Sequence, residues 1–314
     1  MLSYKTDTTW SRIHAMLPPD IRFDASTQPT EEEFVWRKSR LHIDRLPNPQ
    51  ATHKVILHHG VGTNGRLLSM IVGAPLARLG YEVVAIDMPL YGVSQNNEDS
   101  IRYEDWIDVS RKLIAAEQAR DGKPVVLYGL SAGGMLCYQV ACLEPAVKGV
   151  VGMCFLDLLD IRVNALISRF PIPSLVERLN AFAVPLLART PLRAIKLPMA
   201  LVSKMSALVN SPEALAVLLA DRKSAGSRVP IEFLASLITY QAATAPEDFK
   251  SCPILLTQPA EDRWTPLDAS QAFYDRLATR KSTVMLDNAG HYPMETPGLY
   301  QMRDAIDTFI RGLG

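Results

Sequence analysis

One stretch leaves this chain few ways to fold: Pro124-Val125-Val126-Leu127-Tyr128-Gly129-Leu130-Ser131-Ala132-Gly133-Gly134. Its β-branched apolar start is too short for a helix and reads as a buried strand that stops at Gly129. From Gly133 the sequence turns steadily apolar through Met135, Leu136, Cys137, Tyr138, Val140 and Ala141, which reads as a helix. Ser131 is left on the sharp turn between the two. Such a turn strains the serine backbone, and Gly129 and Gly133 remove the Cβ atoms that would collide with it. The hydroxyl then stands clear of the sheet, and the Ala132 amide points out of a helix N-terminus, where negative charge is held. At average residue usage, roughly 7% glycine, a chain of this length would carry about 0.1 copies of Gly-x-Ser-x-Gly by chance.

The surrounding sequence repeats the strand-and-helix theme. Lys54 to His58 is an apolar strand running into the loop Gly60-Val61-Gly62-Thr63-Asn64-Gly65, and Arg66 to Leu79 has helical periodicity closed by Gly80. Tyr81 to Asp87 is the next strand, Tyr103 to Ala119 a helix ending near Gly122, and Val147 to Phe155 another buried strand. This alternation predicts a parallel sheet with right-handed crossovers. Ahead of it, residues up to about Pro49 are mixed; Phe34 to Ile43 predicts an antiparallel edge hairpin whose basic side chains guard the outer face.

After Phe155 the alternation stops. Between Asp157 and Phe249 no strand is expected, only helical segments separated by Pro171, Pro173, Pro185, Pro191, Pro198, Pro212 and Pro230. Ser174 to Glu177 reads as a capping box and Ser211-Pro212 as a helix start. The block is too apolar for a linker, so residues 157–249 are expected to form a helical cap on a core made of 1–156 and 250–314. The core pattern resumes with strands at Cys252 to Thr257 and Ser282 to Leu286, and a helix from Leu299 to Leu313 closes the chain.

Charge narrows the partners: Lys plus Arg and Asp plus Glu number 33 each, so no global field draws in nucleic acid. The N-terminus lacks a signal-peptide core and no apolar run is long enough to cross a bilayer, which makes a cytoplasmic protein the expectation. Cys137, Cys142, Cys154 and Cys252 lack metal-site spacing and are expected to be reduced and buried. His58 and His59 are adjacent on a strand and so face opposite sides, and the glycine loop after them lacks a phosphate-binding pattern. Neither a cofactor nor a metal is expected.

A serine is a poor nucleophile at neutral pH, so a general base and a group that orients it must be found. Asp262 and His291 each follow the end of an expected parallel strand, the edge where such sheets place their ligands. Asp157, or less favourably Asp160, is the rival acid because it also follows a strand. The order Ser131, Asp262, His291, together with His59-Gly60, the loop Asp87 to Ser94 and Gly290-His291, resembles the α/β-hydrolase superfamily over about Val55 to Leu313. The resemblance implies a mostly parallel eight-stranded α/β sheet with helices on both faces and a cap inserted after the sixth strand. It implies that the amides of Val61 and Ala132 form an oxyanion hole. One departure is Leu90, which stands where the family commonly has a glycine in the loop after Asp87.

The resemblance therefore points to a serine hydrolase of carboxylic esters with an esterase or lysophospholipase-like activity. An acyltransferase with the same triad, or a catalytically silent binding protein on the same fold, are the alternatives. A dehalogenase or epoxide hydrolase would place aspartate where Ser131 stands. Between residues 162 and 204 the cations Arg162, Arg169, Arg178, Arg189, Arg193, Lys196 and Lys204 face Glu177 alone, interleaved with leucines and phenylalanines. That pattern fits two readings equally: a small-molecule ester substrate with an apolar, lipid-like acyl group under a cap whose basic rim suits peripheral lipid contact, or a cap whose apolar side simply packs on the sheet while its basic side is solvated.

Overall fold

The computed structural model of the chain describes residues 3–169 and 182–313. Thr30–Trp36 (β1) and Ser39–Leu46 (β2) form an antiparallel hairpin, followed by Lys54–His58 (β3), Glu82–Ile86 (β4), Val125–Gly129 (β5) and Val147–Gly152 (β6). Lys196–Pro198 (β7) and Arg228–Pro230 (β8) pair in a separate short ribbon, while Ile254–Pro259 (β9) and Lys281–Leu286 (β10) return to the main sheet. Its eight strands run in the order β1-β2-β4-β3-β5-β6-β9-β10, and every pairing from β4 to β10 is parallel. All residues of β3, β4 and β5 are buried, as strands covered on both faces must be, which explains their unbroken apolar runs.

The helix Tyr103–Asp121 ends at Gly122 in the left-handed region, with φ 70°. The stretch expected as one helix from Arg66 to Leu79 is instead Gly65–Leu68, a wider π turn at Ser69–Gly73, and Ala74–Arg78. Pro75 has no N–H to return to the preceding turn, and the wider turn absorbs that loss. β6 stops at Gly152 rather than Phe155, because the Phe155 amide donates to Ser270 Oγ at 2.9 Å instead of to a strand.

Two further expectations change. The outer strand β1 carries Glu31, Glu32 and Glu33, so acidic rather than basic side chains dominate the hairpin edge. Arg45 of β2 is buried instead, bonded to Glu117 at 2.6 Å, and Lys54 reaches the same carboxylate at 2.6 Å. In the block between β6 and β9 the ribbon β7–β8 is real strand pairing where none was expected; three residues a side, with Pro198 and Pro230 among them, carry no readable alternation.

The remainder of that block is helical, with Ile161–Ile167, Val184–Leu187, Met199–Val202, Pro212–Ala220 and Ile231–Thr239 among its segments. Ser211 caps the fourth of these by accepting from Ala214 N at 3.3 Å. Phe170, Pro171, Pro173, the expected capping box from Ser174 to Glu177, Arg178 and Leu179 lie outside the described residues.

At the N-terminus, Thr8–Met16 forms a helix whose Trp10 and Ile13 are buried, opened by Asp7 accepting from Thr9 N at 3.0 Å. Tyr4, just before it, donates its hydroxyl to Asp87 Oδ2 at 2.7 Å and its amide to Glu31 at 3.1 Å. The Arg66 guanidinium lies 4.7 Å over the Tyr4 ring and reaches Asp44 and Glu31 at 2.7 Å each.

Candidate active site

Ser131 sits on the turn from β5 into the helix Ala132–Ala141 with φ 58° and ψ −127°, a conformation that L residues rarely adopt. The surroundings explain the glycines. A Cβ at Gly129 would lie 2.0 Å from Gly133 O, one at Gly133 2.3 Å from His58 O, and one at Gly134 2.0 Å from Cys154 O. Backbones approach so closely here that no side chain fits.

The loop after β3 lies on the same turn: a Cβ at Gly60 would be 2.9 Å from Ala132 N. His59 fixes this loop. Its Nδ1–H donates to Gly60 O at 2.7 Å, and Met88 N donates to its Nε2 at 2.9 Å, the pattern of a neutral ring. Burial pushes its pKa down to about 4, and that of His58 to about 3, so both stay neutral near pH 7. Asp87 ties the next loop in, accepting from Gly65 N at 2.7 Å and Val93 N at 2.8 Å. Leu90 adopts φ 81° in that loop, so it keeps the left-handed turn that a glycine would have made without strain.

Asp262 and His291 meet. The imidazole Nδ1 donates to Asp262 Oδ2 at 2.8 Å, and both side chains are buried. Asp262 Oδ1 accepts from the amides of Trp264 and Thr265 at 2.8 Å each, and Thr265 Oγ1 donates to Oδ2 at 2.7 Å. Burial opposes ionisation of this carboxyl, yet the His291 ring and the Thr265 donors outweigh it and hold the pKa down at about 2. The carboxylate thus fixes the proton on Nδ1 and leaves the Nε2 lone pair outward. Nε2 is buried and has no hydrogen-bond partner, and none joins it to Ser131. Trp264 packs on the imidazole with ring centroids 4.5 Å apart.

Trp264 also lines an apolar cavity of about 450 Å³ whose walls include Val61, Ser131 and Ala132. The serine, the Trp264-covered histidine and the two loops named for their amides therefore gather at one end of the sheet. Asp157 does not join them: it accepts from Leu159 N at 3.1 Å and lies 4.0 Å from Arg276. Asp160 caps the helix Ile161–Ile167 and pairs with Arg162 at 2.6 Å. Sequence reasoning passed over the parts of Trp264 and Thr265; a threonine three residues after an aspartate, in a turn, was the available signal.

Among the described residues, metal-ligand atoms cluster at Glu31, His42 and Asp44. The Arg66 guanidinium bridges both carboxylates at 2.7 Å, so this group already has its cation.

The sequence model of the family described as the alpha/beta hydrolase family matches residues 55–300. No curated protein matches the sequence. Among solved structures, Paleococcus ferrophilus monoacylglycerol lipase is similar at 22% identity and a TM-score of 0.67, covering 87% of this chain and 99% of its own. A soluble variant of monoglyceride lipase from Saccharomyces cerevisiae, in complex with a substrate analog, is similar at 17% identity and a TM-score of 0.71, covering 95% and 98%. A haloalkane dehalogenase from Bradyrhizobium elkani is similar at 18% identity and a TM-score of 0.64, covering 90% and 98%. At such identities the likeness is one of fold, and the names span more than one chemistry. By the match over most of its length, the chain belongs to the alpha/beta hydrolase family.

Proposed function

We propose that this protein is a serine hydrolase of carboxylic esters, acting through Ser131, His291 and Asp262 and an acyl-enzyme intermediate. The observation that carries the reading is the Asp262–His291 bond, which leaves Nε2 unpartnered at the end of the sheet where Ser131 stands. In the proposed reaction His291 Nε2 takes the Ser131 proton as the hydroxyl attacks the acyl carbonyl. Asp262 stabilises the imidazolium. The amides of Val61 and Ala132 hold the developing oxyanion, a contribution of about 3 kcal/mol per donor. His291 then protonates the leaving alcohol, and water, activated by the same ring, releases the acid.

The acyl group is proposed to occupy the apolar cavity of about 450 Å³, walled in part by Leu187, Leu197, Val202, Leu234 and Ile238. Residues 157–249 would then act as a cap whose underside shapes that pocket. Two of the similar structures are lipases of monoacylglycerols, in keeping with a lipid-like ester. Elsewhere on the cap, Phe182, Leu186 and Leu192 are 47–72% exposed among Arg189, Arg193 and Lys196, which suits transient contact with a lipid surface. No helix among the described residues is long and apolar enough to cross a membrane. The four free cysteines suit the cytoplasmic setting proposed for it.

A fluorophosphonate probe tests the reading directly. It should label native protein at Ser131 and fail on Ser131→Ala, and nitrophenyl esters should be cleaved faster as the acyl chain lengthens from acetate. Absence of labelling would leave a silent binding protein, and rates flat or falling beyond acetate would remove the acyl pocket.

A further inference from the structure

Ala132, whose amide is proposed to hold the oxyanion, lines a second cavity as well as the first. This chamber measures about 480 Å³ and shares Ala132, Leu156, Leu158 and Leu237 with the apolar one as a common wall. Its remaining walls are mixed, with Met135 and Phe273 beside the polar Gln139, Asp157, Gln241 and Arg276. Gln139 lies on the helix that Ser131 opens, and the Tyr103 hydroxyl donates to its Oε1 at 2.6 Å, which orients the amide. Asp157, the carboxylate that the His291 site does not use, faces this chamber instead. Its charged neighbours are already paired: Arg276 is shared between Glu247 at 2.5 Å and Asp157 at 4.0 Å, and Asp160 holds Arg162 at 2.6 Å. The chamber thus offers donors and acceptors with no uncompensated cation to draw in an anion.

An ester held with its carbonyl oxygen at the Ala132 amide has two halves to place, and beside the apolar chamber a second one, of mixed polar and apolar lining, adjoins Ala132. We propose that the second chamber receives the alcohol half, selects alcohols that carry additional hydroxyl groups, and seats the same alcohols as acyl acceptors. The proposal rests on the ester-hydrolase reading and adds an alcohol-side specificity site at Gln139 and Asp157. Acceptance follows from microscopic reversibility. The alcohol oxygen bonds to the acyl carbonyl carbon while His291 Nε2 takes its proton. The acyl–Oγ bond then breaks, and the proton passes to Ser131 Oγ. No electrons are gained or lost.

The test compares ethyl, glyceryl and choline esters of one medium-chain acid. Native protein should favour the glyceryl over the ethyl ester by about 10-fold in kcat/KM, the worth of one or two buried hydrogen bonds. Asp157→Ala and Gln139→Leu should each cut that ratio at least about 5-fold, whereas Val202→Ala in the apolar chamber should move both rates together and keep the ratio. Added glycerol should divert acyl groups into a new ester, less so in Asp157→Ala. Gln139 is buried and its variant can fail to fold; Asp157 is part exposed and carries the test alone in that event. A native ratio near one, a ratio that Asp157→Ala does not move, or a preference for the choline ester overturns the alcohol site. With fluorophosphonate labelling of Ser131 intact, such a result leaves the hydrolase reading standing; loss of labelling and of all ester cleavage overturns both.

Discussion

Around Ser131, a Cβ at Gly129, Gly133 or Gly134 would come within 2.0–2.3 Å of a backbone atom, whereas in the block between β6 and β9 Phe182, Leu186, Leu192, Ile195 and Leu201 stand 46–72% exposed. The first region is held by backbones in mutual contact, where one methyl group is too many. The second is held by apolar side chains of interchangeable shape, several of which face water. The proposed division of labour follows this difference. The tight region decides whether acyl transfer occurs, and the loose one decides which molecules reach it.

The largest effect expected is chemical. Ser131→Ala should lower kcat at least about 10⁴-fold, and Asp262→Asn by a similar factor, because the asparagine cannot hold the proton on Nδ1. Circular dichroism and melting should stay close to native in the serine variant, since its backbone strain is retained. Native-like turnover in either would break the comparison at its root.

Next comes packing. Gly134→Ala places a methyl group 2.0 Å from Cys154 O and should cost about 3 kcal/mol in urea unfolding. Leu186→Ala, on the loose side, should stay within about 0.5 kcal/mol. Equal costs would erase the contrast.

The third effect is read by pH. The Asp262 carboxyl, ordinarily near 3.8, is held at about 2 in the folded protein. Its contribution of about 2 kcal/mol is therefore fully present above about pH 4 and lost as pH falls toward 2. Denaturation curves of Asp262→Asn should lack that part of the slope, and an unchanged slope would place the depressed group elsewhere.

The smallest effect sharpens the loose side. Leu187→Ala and Leu234→Ala should shift the preferred acyl length, changing relative kcat/KM for long and short esters by about 10-fold with little loss of melting temperature. A uniform drop across all lengths would mean that these leucines support the site and do not sort substrates.

The same contrast governs what could be read from the chain. Strands β3, β4 and β5 were legible because burial on both faces demands continuous β-branched runs, and the Ser131 turn because its glycines are compulsory. Asp262 and His291 were legible by position, each just beyond a strand. Less was readable where the controlling contact is remote in sequence. The helix Thr8–Met16 is short, and it packs against the helix Pro212–Ala220, some two hundred residues further along the chain. The π turn at Ser69–Gly73 and the ribbon β7–β8 follow from local compromises at prolines that periodicity does not register. Thr265 was hidden because hydrogen bonding to Asp262 needs only a short turn and no pattern.

The region that the family model matches opens at residue 55, yet Tyr4 reaches Asp87, and Asp87 in turn grips the amide of Gly65. A chain trimmed to begin with β3 would take away Glu31, Asp44 and the Tyr4 hydroxyl, stranding the Arg66 guanidinium inside the molecule without its carboxylates and removing one donor from Asp87. Residues 3–53 thus work as a clasp on the loop that carries Val61, and the boundary drawn by kinship is not the boundary at which the machine could be cut.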